Sequence, residues 1–244
     1  MRQAEIFSEI TDFARQNQRP ANVDFHMHTS YTDGADSIAG MYGKSCEVGL
    51  ETILFSEHAR YTSTDWFETF ASEVRALPKE PCRALVGVEV KVENFDGSLD
   101  LHPEIMSQCD LVIASVHRFP GEEGQIMKTN GGFSLAEAED LEFKLAMGAL
   151  DNPELDILGH PFGMTVRRFG GGLPWSKMQL LIGKAKETGK AIEINARYHD
   201  EPKRLLKECL DAGVLISFGS NAHKLDEVAA LHRHSDWNVA QDHA

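Results

Sequence analysis

Two histidines two residues apart, His26 and His28, begin the chemistry of this chain, in the run Asp24-Phe25-His26-Met27-His28-Thr29-Ser30-Tyr31-Thr32-Asp33-Gly34. Val23 to His28 alternates as a strand does, and a two-residue period sends both imidazoles to one face, where they can share a divalent ion. Asp33, just past the strand, can add an oxygen ligand. Taken alone, such a pair describes two half-buried histidines at a strand end equally well. The same residue types recur, however, along the chain. Glu57 and His58 follow Leu54-Phe55-Ser56, and Glu89 ends Leu85-Val86-Gly87-Val88. His117 follows Val112 to Val116, and His160 follows Ile157-Leu158-Gly159. Glu193 and Asn195 lie in a sixth apolar run, and Asn221 and His223 follow Ile216 to Ser220. Six of the eleven histidines occupy these positions, more than random scatter would place there.

Every one of those apolar runs reads as a strand, and something helical follows each. The expected strands cover 23–28, 51–56, 83–90, 110–116, 155–159, 190–195 and 214–219. Helices are expected at 4–17, around 36–48, at 65–77, 102–107, 134–149, 174–188 and 201–212, and from about 224 onward. A βα repeat without a composition break points to one parallel-sheet domain, either a closed barrel or a doubly wound sheet. In a barrel, all the carboxyl ends share one rim, so the seven stations would converge there. Glu89 argues for that independently. An ionised carboxylate at an apolar strand end costs several kcal/mol unless a cation accompanies it, and a metal is the simplest cation to supply.

The chain is 244 residues long, enough to bury its own core, and its 42% hydrophobic content is ordinary for a globular protein. Its 24 basic and 38 acidic side chains give a formal charge of -14, which opposes stable binding to nucleic acid or to an anionic membrane. Bound divalent cations would offset part of that excess. No signal-peptide pattern opens the sequence and no apolar run approaches a membrane span, so a cytoplasmic location is expected. Cys46, Cys82, Cys109 and Cys209 show no CxxC spacing and are expected as reduced thiols. His102, His232, His234 and His243 are expected at the surface, while His199, on the loop after the sixth strand, stays open.

Together these residues resemble the PHP (polymerase and histidinol phosphatase) family over nearly the whole chain. The motifs are His26-Met27-His28-Thr29-Ser30 with Asp33-Gly34, Ser56-Glu57-His58, Gly87-Val88-Glu89 and Ser115-Val116-His117. They continue with Gly159-His160-Pro161, Glu193-Ile194-Asn195 and Gly219-Ser220-Asn221-Ala222-His223. The resemblance implies a distorted seven-stranded (β/α)7 TIM-like barrel formed by a single domain over 1–244, with an N-terminal helix in 1–20 and a tail from about 232. It also implies two or three divalent ions, Zn, Mn or Fe, and hydrolysis of phosphate esters. One ion would lie among His26, His28, Glu89 and residue 221; a second among Glu89, His117 and His160; a third among Asp33, His58 and His223. Catalysis would rest on Glu89, His58 and Asn221. Position 221 departs from the family pattern, which usually has Asp there. An amide oxygen can coordinate but brings no charge and takes no proton, so an active variant, an inactivating change and a domain without turnover are all compatible with it.

Two clustered cations can ready a water for in-line attack on phosphorus and neutralise the phosphoryl oxygens, and imidazole-rich ligation favours Zn, Fe or Mn over Mg. Arginine supplies a planar fork for phosphate. The rim loops offer Arg60, Arg118, Arg167, Arg168 and Arg197, with Arg197 and Arg118 expected first. The glycine-bearing runs 121–132 and 163–172 are expected as pocket walls, while Tyr31, Trp66, Phe119, Phe162 and Phe169 can equally line the pocket or pack in the core. The expected activity is a phosphomonoesterase on a small phosphorylated metabolite. The alternatives are a nucleotide or oligonucleotide phosphodiesterase or exonuclease, opposed by the charge, and a metal-bound regulatory module without turnover.

Overall fold

The structure, a computed structural model, describes residues 3–119 and 132–237. Seven runs pair in chain order into one parallel sheet: β1 (Val23–Met27), β2 (Thr52–His58), β3 (Arg83–Lys91), β4 (Leu111–Ser115), β5 (Ile157–Leu158), β6 (Ala191–Asn195) and β7 (Leu215–Gly219). β1, β4 and β6 are buried at every position, as strands with packed side chains on both faces must be. The sheet curls until its ends meet. A parallel bridge joins Met27 to Ala222, the His28 N–H donates to the Ala222 carbonyl at 2.8 Å, and the Ala222 N–H donates to the His26 carbonyl at 3.3 Å. The outcome is a nearly closed barrel rather than a doubly wound sheet.

Helices surround it: α1 (Gln3–Asn17), α2 (Ile38–Glu47), α3 (Thr64–Arg75), α4 (Pro103–Met106), α5 (Leu135–Leu150), α6 (Gly163–Phe169), α7 (Trp175–Thr188) and α8 (Pro202–Ala212). α1 covers the seam between the first and last strands. Its buried Phe7, Ile10 and Ala14 recur at helical spacing; Phe7 meets Phe25 of β1 edge-on at 6.3 Å, and the Thr11 hydroxyl accepts the N–H of Ile216 in β7 at 3.1 Å. Asp24 clamps the same seam from within, accepting the N–H groups of Ser220 at 2.8 Å and Ala229 at 3.0 Å. The far ends of β1 and β7, which carry His26, His28, Asn221 and His223, are thereby held side by side.

Three sequence expectations need correction. The helix expected from about 224 is instead three single 3-10 turns, Leu225–Glu227, Ala230–Arg233 and Ser235–Trp237. Asp24 captures the Ala229 N–H, Ala229 is left-handed at φ 57°, and the Arg233 guanidinium takes the Val228 and Asp226 carbonyls, so helical bonding cannot propagate. The 163–172 run is a helix over its first seven residues, not a loop. The other glycine-bearing wall, 121–132, lies outside the described residues except for Gly132. The strand expected over 155–159 pairs only at Ile157 and Leu158, because the Asp156 carboxylate rather than a backbone carbonyl takes part of the pairing by accepting the Val112 N–H at 2.8 Å.

α6 forms because a carboxylate from a distant helix caps it. Glu142 of α5 accepts the Thr165 N–H at 2.8 Å and the Thr165 hydroxyl at 2.5 Å. Burial outweighs those bonds and pushes the Glu142 carboxyl up to about 7, against 4.5 for the exposed side chain. The folded state therefore holds this proton more tightly than the unfolded one, so the resulting stability is complete below about 4.5 and is lost as pH rises through about 7. Glu142→Gln should remove that component, worth about 3 kcal/mol, from the pH dependence of stability between these limits. Denaturant midpoints collected across that range check it; parallel profiles for the two proteins would refute it.

Candidate metal centre

β1, β2, β3 and β6 carry an acid, amide or histidine at or beside their ends, and β4, β5 and β7 deliver theirs from two residues later onward. His26 and the adjacent His28 come from β1, Glu57 and His58 end β2, Glu89 lies near the end of β3, Glu193 and Asn195 close β6, and His117, His160, Asn221 and His223 follow β4, β5 and β7. The β2–β3 register sets His58 directly beside Glu89. Five imidazoles gather on this one carboxylate. His26 Nε2, His28 Nε2 and His58 Nδ1 stand 3.2, 3.4 and 3.2 Å from Glu89 Oε2. His117 Nε2 and His160 Nε2 stand 3.0 and 2.8 Å from Oε1. Beside this group, Asp33 Oδ2 lies 3.3 Å from His223 Nε2 and 3.6 Å from His58 Nε2, with His28 Nδ1 3.9 Å from Asp33 Oδ1.

The separations of 3.2–3.6 Å fit ligands of a shared ion better than hydrogen bonds, whereas His117 and His160 stand at hydrogen-bond distance from Glu89. Nitrogen and oxygen ligands about 2.0–2.1 Å from a tetrahedral centre lie roughly 3.3–3.4 Å from each other, whereas a charge-assisted N–H···O bond closes to about 2.8 Å. Three sets bring one potential ligand atom per residue within 4.8 Å of all the others: His28, Asp33, His58 and His223; His26, His28 and Glu89; and His58, Glu89 and His117. The buried His26 Nε2, both nitrogens of His28, Glu89 Oε2, His160 Nδ1 and Asn221 Oδ1 have no hydrogen-bond partner. Leaving so many polar atoms buried and unsatisfied within one region costs about 1–3 kcal/mol apiece, so a ligand is the economical account. The donor set therefore fits divalent ions. His160 touches Glu89 but stands outside those three sets, and Asn221 joins the region through its unpartnered amide oxygen.

Electrostatics prepares the donors. Burial raises the Glu89 carboxyl, but the charges of His117, His26 and His58 outweigh it and hold the group well below the usual carboxylate range. Burial, reinforced by the neighbouring His58 charge, pushes His28 well below the ordinary imidazole value, so its lone pair is available. For Asp33 burial again opposes ionisation, and the hydrogen bonds from His223 and His58 overcome it, lowering the carboxyl.

A second layer aims these donors. Glu193 Oε1 lies 2.8 Å from His26 Nδ1 and accepts the Asn195 amide at 2.8 Å, while Oε2 accepts the His160 N–H at 2.6 Å. The ionised Glu193 holds a His26 proton at Nδ1, so that Nε2, which faces Glu89, is the nitrogen that a metal would take. Gly219 leaves room for this arrangement, since a Cβ there would collide with the Glu193 carboxylate and the His26 Cβ. Glu57 accepts the Thr29 N–H at 2.7 Å and the Thr32 hydroxyl, fixing the loop that carries Asp33. Glu193→Gln keeps the shape but places an N–H where two donors already point. Metal affinity should fall about 10- to 100-fold, with the thermal midpoint of the metal-free protein much less affected. Chelator competition alongside calorimetry measures both, and an unchanged affinity would rule out this orienting role.

The cluster opens into a cavity of about 600 Å³ lined by Asp33, His58, Glu89, His117, His160, Asn221 and His223. All five expected arginines, Arg60, Arg118, Arg167, Arg168 and Arg197, line it too, as does Lys91, which the sequence reading passed over. Of the two roles open to the aromatic residues, the structure favours packing over lining. Phe119 and Phe162 are buried packing residues, and Tyr31, Trp66 and Phe169 lie outside the lining. Tyr198 takes that role, its ring 4.3 Å from that of His160, with Met164 of α6 beside it. Tyr198 follows the sixth strand by three residues, the one signal that pointed to it. His199 is settled as structural: buried, accepting the Asn195 N–H at 3.0 Å and placing Nε2 3.2 Å from the Pro161 carbonyl. His102 and His232, expected as free surface residues, accept the Glu104 N–H and contact the Ala21 carbonyl respectively; His243 lies outside the described residues.

Comparison with known proteins agrees with this geometry. A family model described as "PHP domain" matches residues 24–197. The chain is 29% identical over 239 residues to the DNA polymerase/3'-5' exonuclease PolX of Bacillus subtilis, covering 92% of this chain but only 38% of that relative. It is also 29% identical over 212 residues to a probable phosphatase of a Thermoanaerobacter species, covering 82% of this chain and 78% of the relative. Among solved structures, a histidinol phosphate phosphatase of Lactococcus lactis, complexed with zinc, L-histidinol and phosphate, superposes with a TM-score of 0.65. Its identity is 20%, with 89% of this chain and 94% of that one covered, which shows the shared barrel fold.

Proposed function

We propose that this chain, which belongs to the PHP domain family, is a metal-dependent phosphomonoesterase that releases phosphate from a small phosphorylated substrate. Relatives named as phosphatases support a metal-dependent phosphoester hydrolase, and the shared fold with a zinc-bound phosphatase agrees with it. The observation that carries the reading is the gathering of His26 Nε2 and His28 Nε2, buried and unpartnered, 3.2 and 3.4 Å from the equally unpartnered Glu89 Oε2.

His26, His28, Asp33, His58, Glu89, His117, His160, Asn221 and His223 are the proposed ligands, with Glu89 central to the arrangement. Divalent cations held there would supply Lewis-acid charge to the phosphoryl oxygens and a nucleophilic water near neutral pH. The chain's own residues do the rest. Glu193 keeps a His26 proton on Nδ1, and Glu57 fixes the Asp33 loop. Arg197 reaches the Asn221 carbonyl at 3.3 Å, so its guanidinium stands beside the cluster where a phosphate would meet it, with Arg118 on the β4 side. The half-open cavity admits a small substrate.

Protein stripped with chelator and reloaded with Mn, Zn or Fe should hydrolyse 4-nitrophenyl phosphate, and chelation should abolish that. Absence of turnover in every metal state would overturn the reading. A second reading, removal of nucleotides from the end of a nucleic acid, has the Bacillus subtilis relative in its favour and the charge of -14 against it. A 5'-labelled oligonucleotide shortened faster than the aryl phosphate is cleaved would decide for it.

A further inference from the structure

The cavity holds more positive charge than one phosphate requires. Arg60, Lys91, Arg118, Arg167, Arg168 and Arg197 all line it, in a chain whose formal charge is -14. Lys91 faces Glu93 at 3.6 Å and Asp100 at 3.8 Å, and Arg197 faces Glu227 at 3.9 Å. Among the described residues, no carboxylate lies within 4.0 Å of the guanidinium of Arg60, Arg118 or Arg167. Like charges crowded into a half-open cavity repel one another, and that cost is recovered when an anion spans them.

Their placement separates them into two groups. Arg197 stands beside His223, its Nη1 3.0 Å from Nδ1, at the ion cluster itself. Arg167 does not: its guanidinium lies 5.8 Å from the centre of the Tyr198 ring, and Tyr198 in turn packs on His160. The one ring thus neighbours both Arg167 and a proposed ligand, His160. Arg167 and Arg168 share one face of α6 with Met164, at helical spacings of three and four residues, so the Glu142-capped helix presents that face to the cavity. A phosphate seated at the cluster is met by Arg197 and Arg118. Arg167, on α6 beside Tyr198, is left as a further cation of the same lining.

We propose that the cavity wall around Arg167 is a subsite for a second anionic group, a carboxylate or a phosphate, on the leaving-group side of the substrate. The inference rests on the reading that a phosphate sits at the cluster. It makes the preferred substrate a phosphate monoester with a further negative charge, and it disfavours a cationic amino alcohol as leaving group. Tyr198 supplies a flat apolar face to the same lining.

The test uses the metal-loaded protein and three aryl phosphates matched in reach: 3-carboxyphenyl phosphate, its neutral carboxamide and its aminomethyl counterpart. Values of kcat/KM should fall in that order, the carboxylate exceeding the amide by about tenfold or more at low ionic strength. That ratio should shrink as salt is raised to about 0.5 M, where the screening length is a few ångströms. Arg167→Gln should bring the ratio toward one. Dissociation constants of the non-hydrolysable 3-carboxyphenylphosphonate and its carboxamide give the same comparison without turnover, and should show the same preference and the same loss in the variant. Equal kcat/KM for all three esters, with equal phosphonate affinities, would overturn the second-anion subsite while leaving the phosphatase reading intact. Absence of turnover of all three with a retained phosphonate preference would do the reverse. A preference that survives Arg167→Gln unchanged would also overturn the assignment.

Discussion

Glu89→Gln should strip the centre of the ions that Glu89 holds. The glutamine is nearly isosteric and can still accept a hydrogen bond, so the barrel should remain folded. What disappears is the one negative charge shared by five imidazoles at 2.8–3.4 Å. A cation held with His26 and His28, or with His58 and His117, loses its only carboxylate and so its strongest electrostatic partner in a buried site, while the set with Asp33 keeps its own. We expect at least one ion per chain to be lost and kcat to fall by about a thousandfold or more, the scale at which removing charge stabilisation acts on a transition state. Metal content by mass spectrometry and steady-state rates check this together. A variant that keeps both its ions and its rate would show Glu89 to be only a histidine clamp.

Asn221→Asp should act in the opposite direction. Asn221 Oδ1 is buried and unpartnered, and the residue sits at φ 53°, a left-handed conformation that Asn and Asp both tolerate. The substitution therefore adds one negative charge to the lining of the cavity without new backbone strain. Metal affinity should rise about 10- to 100-fold by chelator competition, and turnover of an aryl phosphate should rise with it. If affinity rises while both proteins stay inert with Mn, Zn and Fe, the chain is a metal-binding module. If neither quantity moves, Asn221 is not a ligand.

Most of this centre was legible in the sequence because a βα barrel converts position along the chain into position on a rim. Each of the nine proposed ligands stands at or just past the end of an apolar run, and each lines the cavity or belongs to one of the ligand sets. What the sequence hid depends on contacts between distant residues. α6 was read as a loop because its cap, Glu142, belongs to a helix some twenty residues earlier, and the glycines Gly170 to Gly172 dominated the local signal. Glu57 and Glu193 looked like candidate ligands in position; only the structure reveals them as acceptors that orient their neighbours. Tyr198 was missed because an aromatic residue three positions past a strand has no local mark separating a wall from packing. The 3-10 turns after β7 owe their form to Asp24, about two hundred residues upstream.

Elemental analysis of the metal-replete protein, combined with anomalous scattering from its crystals, addresses the central claim most directly. The account predicts two or more divalent ions per chain, each within bonding distance of atoms from the Glu89, His28, His58 and Asp33 neighbourhood. Metal-replete protein with no ion at that rim, or with ions only elsewhere on the surface, would contradict it.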